Sequence, residues 1–225
     1  MNGAGYPRPG QLPAEPRTLG LVVLISGGGT TMANLADRIA AGHLDARIEL
    51  VVSSRDRVAG LARAQTRGLP TIVLPRRAYT RDDVFDVASY TEVLLRMIAP
   101  LSIDLIVLGG FMSQIGPALL DRYAALNIHP ALLPRHGGPG MYGHHVHEAV
   151  LAAGDAESGC TVHFLDPDYD HGPILAQRRV PVLLDDTPDT LAERVQEAER
   201  ELYPEAIGLI AAGRVRVDAG RVLVV

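Results

Sequence analysis

The chain has 225 residues, 47 % of them hydrophobic and 21 % charged, with a net charge of −5 and a pI near 5.9. That balance suits a globular protein and argues against a nucleic-acid-binding surface. The single cysteine excludes an internal disulfide framework, and no apolar run reaches the roughly 18 residues that span a bilayer. The expectation is a cytoplasmic protein that engages neither membrane nor nucleic acid.

Residues 1–18 hold Gly and Pro but no apolar h-region, so they read as a flexible N-terminal tail rather than a secretory signal. The folded part is expected over 19–225 as one domain without repeats. Residues 19–25 (LGLVVLI) form a continuous apolar run, the mark of a strand covered on both faces. Ser26-Gly27-Gly28-Gly29-Thr30-Thr31 follows, and 32–41 reads as an amphipathic helix. Strand, Gly-rich turn and helix together cradle an anion on free backbone N–H groups. Met32 falls where a dinucleotide fingerprint needs its third glycine, and no P-loop lysine is present. The second strand, 47–53, ends in Ser53-Ser54-Arg55 without the acid that holds an NAD ribose. The loop therefore reads as a seat for one phosphate monoester; a tight turn without a ligand is an equal reading of a triple-glycine loop taken alone.

A helix is expected at 58–67, a third strand at 69–74 and a long helix over 81–99, which Pro100 ends. Residues 103–108 (IDLIVL) are a fourth buried strand, followed by Gly109-Gly110-Phe111-Met112. A short helix over 113–123 and a fifth strand over 124–128 come next. Strand and helix alternate throughout, which predicts a Rossmann-like, mostly parallel sheet with helices on both faces. Ligands bind such sheets beyond the carboxyl ends of the strands. The Gly27–Thr31 loop, 109–112 and 127–129 all lie at such ends.

In Asn127-Ile128-His129-Pro130, residues two apart on a strand share a face. Asn127 and His129 therefore project together, and Pro130 and Pro134 stiffen the chain beyond them. An amide donor beside an imidazole suits acyl-transfer chemistry. Residues 135–143 are a Gly/Pro-rich loop, 144–153 a helix and 159–165 a strand. An acidic turn spans 166–173, and a strand over 174–183 pairs with its predecessor as an antiparallel C-terminal extension. A long helix over 187–212 and a terminal hairpin over 214–225 complete the chain.

Seven of the eight histidines lie between His129 and His171. His144, His145 and His147 are close in sequence, but no H-E-x-x-H or cysteine pair accompanies them, and a metal site is not expected. His163 shares a strand face with Thr161; a core histidine is its ordinary reading. Cys160 reads as inert core, and Asp170 alone as turn chemistry.

Together these segments match a known pattern. The Ser-Gly-x-Gly loop, Gly110-Phe111-Met112, Asn127-x-His129-Pro130-x-x-x-Pro134, Val162-His163-Phe164, Asp170-x-Gly172-Pro173 and Glu199-x-x-x-Tyr203-Pro204 occur in that order. They resemble the phosphoribosylglycinamide formyltransferase family over roughly residues 19–217. The resemblance implies catalytic Asn127, His129 and Asp170, with His163 and Thr161 in support. It implies a ribonucleotide site at Gly28, Gly29, Thr30, Thr31 and Glu199. It implies a folate pocket at Arg81, Met112, Ser113, Gln114, Ile115, Asn127, Asp166 and Asp170. The co-substrates would be 10-formyltetrahydrofolate and glycinamide ribonucleotide, without a metal, in a monomer or homodimer. Asp170 would raise the pKa of His129 and favour a charged oxyanion donor. The chain departs from the family at Ser113-Gln114, at Thr30-Thr31, at Arg200 and in its longer 135–143 loop.

Three other functions share parts of this pattern. A 10-formyltetrahydrofolate hydrolase shares the trio but is expected to carry an N-terminal regulatory domain. A methionyl-tRNA formyltransferase is expected to carry a C-terminal tRNA-binding domain. A non-catalytic phosphometabolite-binding protein needs the phosphate loop but not the trio.

Overall fold

The computed structural model describes residues 6–8, 10–218 and 221–225. Strand β1 (Leu19–Ile25) is buried at every position. Its pleat splits the apolar run between two cores: Leu21, Val23 and Ile25 face one cluster, Val22 and Leu24 the other. Helix α1 (Thr30–Ala40), β2 (Ala46–Ser53), α2 (Ala59–Gln65) and β3 (Thr71–Val73) follow. A small hairpin, β4 (Thr80–Arg81) and β5 (Val84–Phe85), precedes α3 (Val87–Ile98), β6 (Leu105–Leu108), α4 (Pro117–Leu120) and β7 (Ala124–His129). The chain ends with α5 (His144–Ala152), β8 (Glu157–Phe164), β9 (Ile174–Pro181), α6 (Pro188–Ala211) and the hairpin β10 (Val215–Asp218) and β11 (Arg221–Val224).

The seven-stranded sheet runs β3-β2-β1-β6-β7-β8-β9. The first five strands are parallel, while β8 and β9 pair antiparallel, as the sequence predicts. Helices α1 and α6 cover one face and α3 and α4 the other. The chain winds outward from β1 to β3 and returns to β6 on the far side of β1. A crevice therefore opens past the carboxyl ends of β1 and β6. Ser26 fastens its two lips: its N–H donates to Gly110 O at 3.2 Å, and its Oγ accepts from Met112 N–H at 2.8 Å.

Helix α6 carries Pro204 in its interior. A proline there leaves the carbonyl four residues back without its helical donor. That carbonyl belongs to Arg200, and Asn34 Nδ2 of α1 donates to it at 2.8 Å. The two helices that bear Thr30, Thr31 and Glu199 are thus joined by a hydrogen bond. Tyr203, fully buried, reaches the opposite way: its hydroxyl lies 2.9 Å from Leu126 O and 3.1 Å from Leu108 O.

Several elements differ from expectation. The helix expected from residue 81 begins at Val87, because Asp82 and Asp83 take φ of 47° and 61° and turn the chain back as a hairpin. Asp86 then caps α3 by accepting from Ser89 N–H at 3.0 Å. The helix expected over 113–123 shrinks to Pro117–Leu120. Strand β7 runs one residue further than expected, to His129 itself. The segment read as a flexible tail packs on the body where it is described. Pro7 and Pro13 are buried, Tyr6 Oη donates to Asp121 at 2.7 Å, and Gln11 Nε2 donates to Leu120 O at 2.8 Å. Residues 1–5 and 9 of that segment, and Ala219 and Gly220 in the turn of the terminal hairpin, lie outside the described residues.

Candidate active site

The loop after β1 is shaped by its glycines. Gly29 precedes α1 at φ 67°, and a Cβ there would sit 2.6 Å from Gly60 Cα. Only glycine meets both demands. No side chain caps α1, so its first N–H groups and helix dipole are open to an anion. Gly28, Gly29, Thr30 and Thr31 all line one cavity of about 740 Å³.

Glu199 of α6 lines the same cavity. Burial pushes its carboxyl up to about 7, with Arg200 opposing. Met112, Ser113, Gln114 and Ile115, beyond β6, form another part of the wall. Ser113 Oγ is buried and has no hydrogen-bond partner among the described residues. Asp166 also lines the cavity; burial raises its pKa, and the Asp168 N–H donates to it at 2.9 Å.

The reactive trio is assembled by strand register. On the antiparallel β7–β8 ladder, Asn127 stands opposite His163 and His129 opposite Thr161. Cross-strand partners on one face lie within contact distance, and Asn127 Nδ2 is 3.2 Å from His163 Nε2. His163 Nδ1 is 2.9 Å from Phe164 O. A carbonyl only accepts, so Nδ1 carries the hydrogen. A ring with its hydrogen on Nδ1 accepts at Nε2, which makes the Asn127 amide the donor and leaves its second N–H for a ligand. Thr161 is fully buried and is not among the cavity's lining residues. Its Oγ1 donates to Ala131 O at 2.6 Å and accepts from Leu133 N–H at 3.0 Å, which fixes the turn after His129.

Asp170 arrives from the β8–β9 loop, whose base is tied by Phe164 N–H to Pro173 O at 2.9 Å. Its Oδ2 is 3.5 Å from His129 Nδ1 and accepts from Gly138 N–H at 3.0 Å; its Oδ1 is 3.6 Å from His163 Nε2. Burial pushes the Asp170 pKa up, the Gly138 N–H favours the carboxylate, and the net shift is downward. The carboxylate therefore stays ionised between two imidazoles.

His129 is 3 % exposed, and its Nε2 donates to His136 O at 2.8 Å. Burial lowers its pKa more than Asp170 raises it. This corrects the expected charged histidine: burial favours the neutral ring, with its hydrogen on Nε2 and its lone pair on Nδ1.

The cavity thus gathers the expected trio, phosphate loop, Glu199, His163 and the 112–115 and 166–170 segments. Arg81 is not among its lining residues; it is exposed on the β4 strand. The sequence reading missed His136, whose backbone carbonyl holds the His129 ring, and Gly138, whose N–H holds Asp170. A backbone group carries no residue-type signal; only the loop's Gly content marked the segment. It also missed His147, 3 % exposed and lining the cavity. Among the described residues no three His, Cys, Asp or Glu side chains are placed to share a metal ion.

A profile of the formyl transferase family matches residues 19–207. The chain is 36 % identical over 204 residues to the chloroplastic phosphoribosylglycinamide formyltransferase of Arabidopsis thaliana, covering 90 % of this chain and 68 % of that protein. It is 39 % identical to the trifunctional purine biosynthetic protein adenosine-3 of Bos taurus, over 92 % of this chain; it spans only 20 % of that larger protein. Among solved structures, glycinamide ribonucleotide transformylase 1 from Symbiobacterium toebii superposes with a TM-score of 0.83 at 31 % identity, over 100 % of both chains. The phosphoribosylglycinamide formyltransferase of Coxiella burnetii superposes with a TM-score of 0.83 at 36 % identity, over 92 % of this chain and 94 % of that one. With its fold and its site in agreement, the chain belongs to the formyl transferase family, among the phosphoribosylglycinamide formyltransferases.

Proposed function

We propose that this enzyme moves the formyl group of 10-formyltetrahydrofolate to the amine of glycinamide ribonucleotide, a step of purine biosynthesis. The observation that carries the reading is the single cavity lined at once by the anion-cradling loop, Glu199 and the Asn127–His129–Asp170 trio. Its volume of about 740 Å³ lies in the upper part of the range for small-molecule sites. The ribonucleotide phosphate sits on the Gly28–Thr31 loop and its ammonium pairs with Glu199. The folate lies along Met112–Ile115 and the 166–170 loop, where the unpaired Ser113 hydroxyl meets a polar edge of the ring.

The chemistry follows from the resting state of His129. Neutral Nδ1 takes one proton from the incoming ammonium. That step frees the nucleophile and creates an imidazolium, which ionised Asp170 stabilises at 3.5 Å. The amine attacks the formyl carbon, a C–N bond forms, and the carbonyl oxygen becomes an oxyanion. The free Asn127 N–H and the imidazolium donate to it. As the bond to N10 breaks, N10 takes the proton from His129. The second proton of the attacking nitrogen leaves through Asp170 and water.

The test is an assay with both co-substrates and with the folate alone. Formylated ribonucleotide, formed only when both are present, is the expected result. Formate release that ignores the ribonucleotide would identify a hydrolase instead.

A further inference from the structure

The segment 136–138 touches both halves of the reactive pair through its backbone. His136 O accepts from His129 Nε2 at 2.8 Å, and Gly138 N–H donates to Asp170 Oδ2 at 3.0 Å. Between them, a Cβ on Gly137 would lie 3.2 Å from Asp170 Cβ and 2.5 Å from Leu133 Cδ2, so the strip is pressed against the site. His136 itself adopts φ 55°, a left-handed conformation that non-glycine residues rarely take. Something must hold it there. The imidazole of His136 points away from His129 and lies with Nε2 2.7 Å from Asp155 Oδ2. Asp155 Oδ1 accepts from Arg135 at 2.5 Å, so one carboxylate ties two successive loop residues to the chain just past α5. Asp155 is half-buried, at 11 % side-chain exposure.

We propose that His136, anchored by Asp155, is a positioning residue: the anchor holds residue 136 left-handed, so that its carbonyl takes the Nε2 hydrogen of His129 and leaves Nδ1 as the nitrogen that faces Asp170. The other neutral tautomer would put a hydrogen on Nδ1 and leave Nε2 with its lone pair against a carbonyl oxygen. It could not receive a proton beside Asp170. The Gly/Pro-rich loop is, over residues 135–138, a brace for the reactive pair. This inference rests on the role given to His129 above, and its test separates the two.

The direct measurement is the tautomer of His129 by nitrogen NMR on histidine-labelled protein, in wild type and in Asp155→Ala, His136→Ala and His136→Asn. Wild type is expected to show His129 protonated at Nε2 alone near pH 7.5. Asp155→Ala and His136→Ala are expected to mix the two tautomers. Each should lower kcat roughly 10- to 100-fold, the scale of a misplaced reacting group, with KM for both co-substrates within about two-fold. His136→Asn tolerates positive φ and is expected to recover part of the loss. An Nδ1-protonated His129 in wild type overturns the proposal whatever the variants do. So does an unchanged tautomer in a folded Asp155→Ala protein. If the wild-type protein moves no formyl group yet shows the Nε2 tautomer, the reaction assignment fails and the brace stands.

Discussion

His163 Nε2 lies 3.2 Å from Asn127 Nδ2, and the hydrogen on His163 Nδ1, held by Phe164 O, makes that contact an amide-to-imidazole donation. The orientation of the Asn127 amide is therefore set by a histidine that does not itself need to touch the oxyanion. Asn127→Ala removes a transition-state donor and is expected to lower kcat about 10²- to 10³-fold with little change in KM. His163→Phe leaves the donor but frees the amide to rotate, so a smaller loss of about 10-fold is expected. Equal losses in the two variants would mean that His163 acts on the substrate directly.

Asp170 and His129 set the acid limb of the pH profile. Burial lowers the His129 pKa and Asp170 opposes it. Neutral His129 is the form that accepts the ammonium proton, so kcat at saturating co-substrates should fall as pH drops below the ordinary histidine value of about 6.5. Removing the carboxylate removes the opposing influence. Asp170→Asn should move the limb to still lower pH while lowering kcat strongly, because the imidazolium loses its counter-charge. A limb that moves upward in Asp170→Asn would show that another group titrates.

Glu199, with its carboxyl pushed up to about 7, carries part of its proton near neutrality. An ammonium favours the ionised form. Ribonucleotide affinity should therefore rise between pH 6 and 7.5, a range in which an α-amine keeps most of its proton. Glu199→Gln should weaken binding and flatten that rise, read as Kd by calorimetry at the two pH values. A rise of the same size in Glu199→Gln would place the titrating group elsewhere.

The parallel sheet was legible because its strands are unbroken apolar runs closed by Gly or Pro, as at residues 19–25 and 105–110. The trio was legible because Asn127, His129 and Asp170 are residue types with chemistry. The start of α3 was not, since Val84 and Phe85 keep helical spacing with Ala88, four and three residues on, and disguise a hairpin. The signals against a helix were Asp82-Asp83, which turn left-handed, and Asp86, which caps. The charge on His129 was not legible either. It depends on how completely the fold excludes water from the ring, a sum over packing that spacing does not contain. Arg81 shows the same limit: a residue matched by motif was carried by that hairpin out of the cavity wall.

The buried Tyr203 hydroxyl reaches the carbonyls of Leu108 and Leu126, immediately before Gly109 and Asn127. Tyr203→Phe leaves those carbonyls without the donor and should cost about 1–3 kcal/mol. At roughly 2–4 °C per kcal/mol for a chain this long, thermal unfolding should shift down by several degrees. Because the same carbonyls fix the strand ends, kcat should fall as well. An unchanged Tm would mean that ordered water replaces the hydroxyl.

His147 gives the fold an acid sensitivity of defined sign. It is 3 % exposed on α5, and burial, with His144 and His129 adding to it, pushes its pKa down to about 4. The unfolded chain binds this proton near 6.5 while the folded chain resists it. The contribution to stability is thus fully present above about 6.5 and is lost as pH falls toward 4, amounting to at most about 3 kcal/mol. His129, also depressed, adds with the same sign. Urea midpoints at pH 7.5, 6 and 5 should fall steeply for the wild type and less steeply for His147→Leu, which has no proton to take up. Parallel slopes in the two proteins would assign the acid sensitivity to His129 and remove His147 from the account.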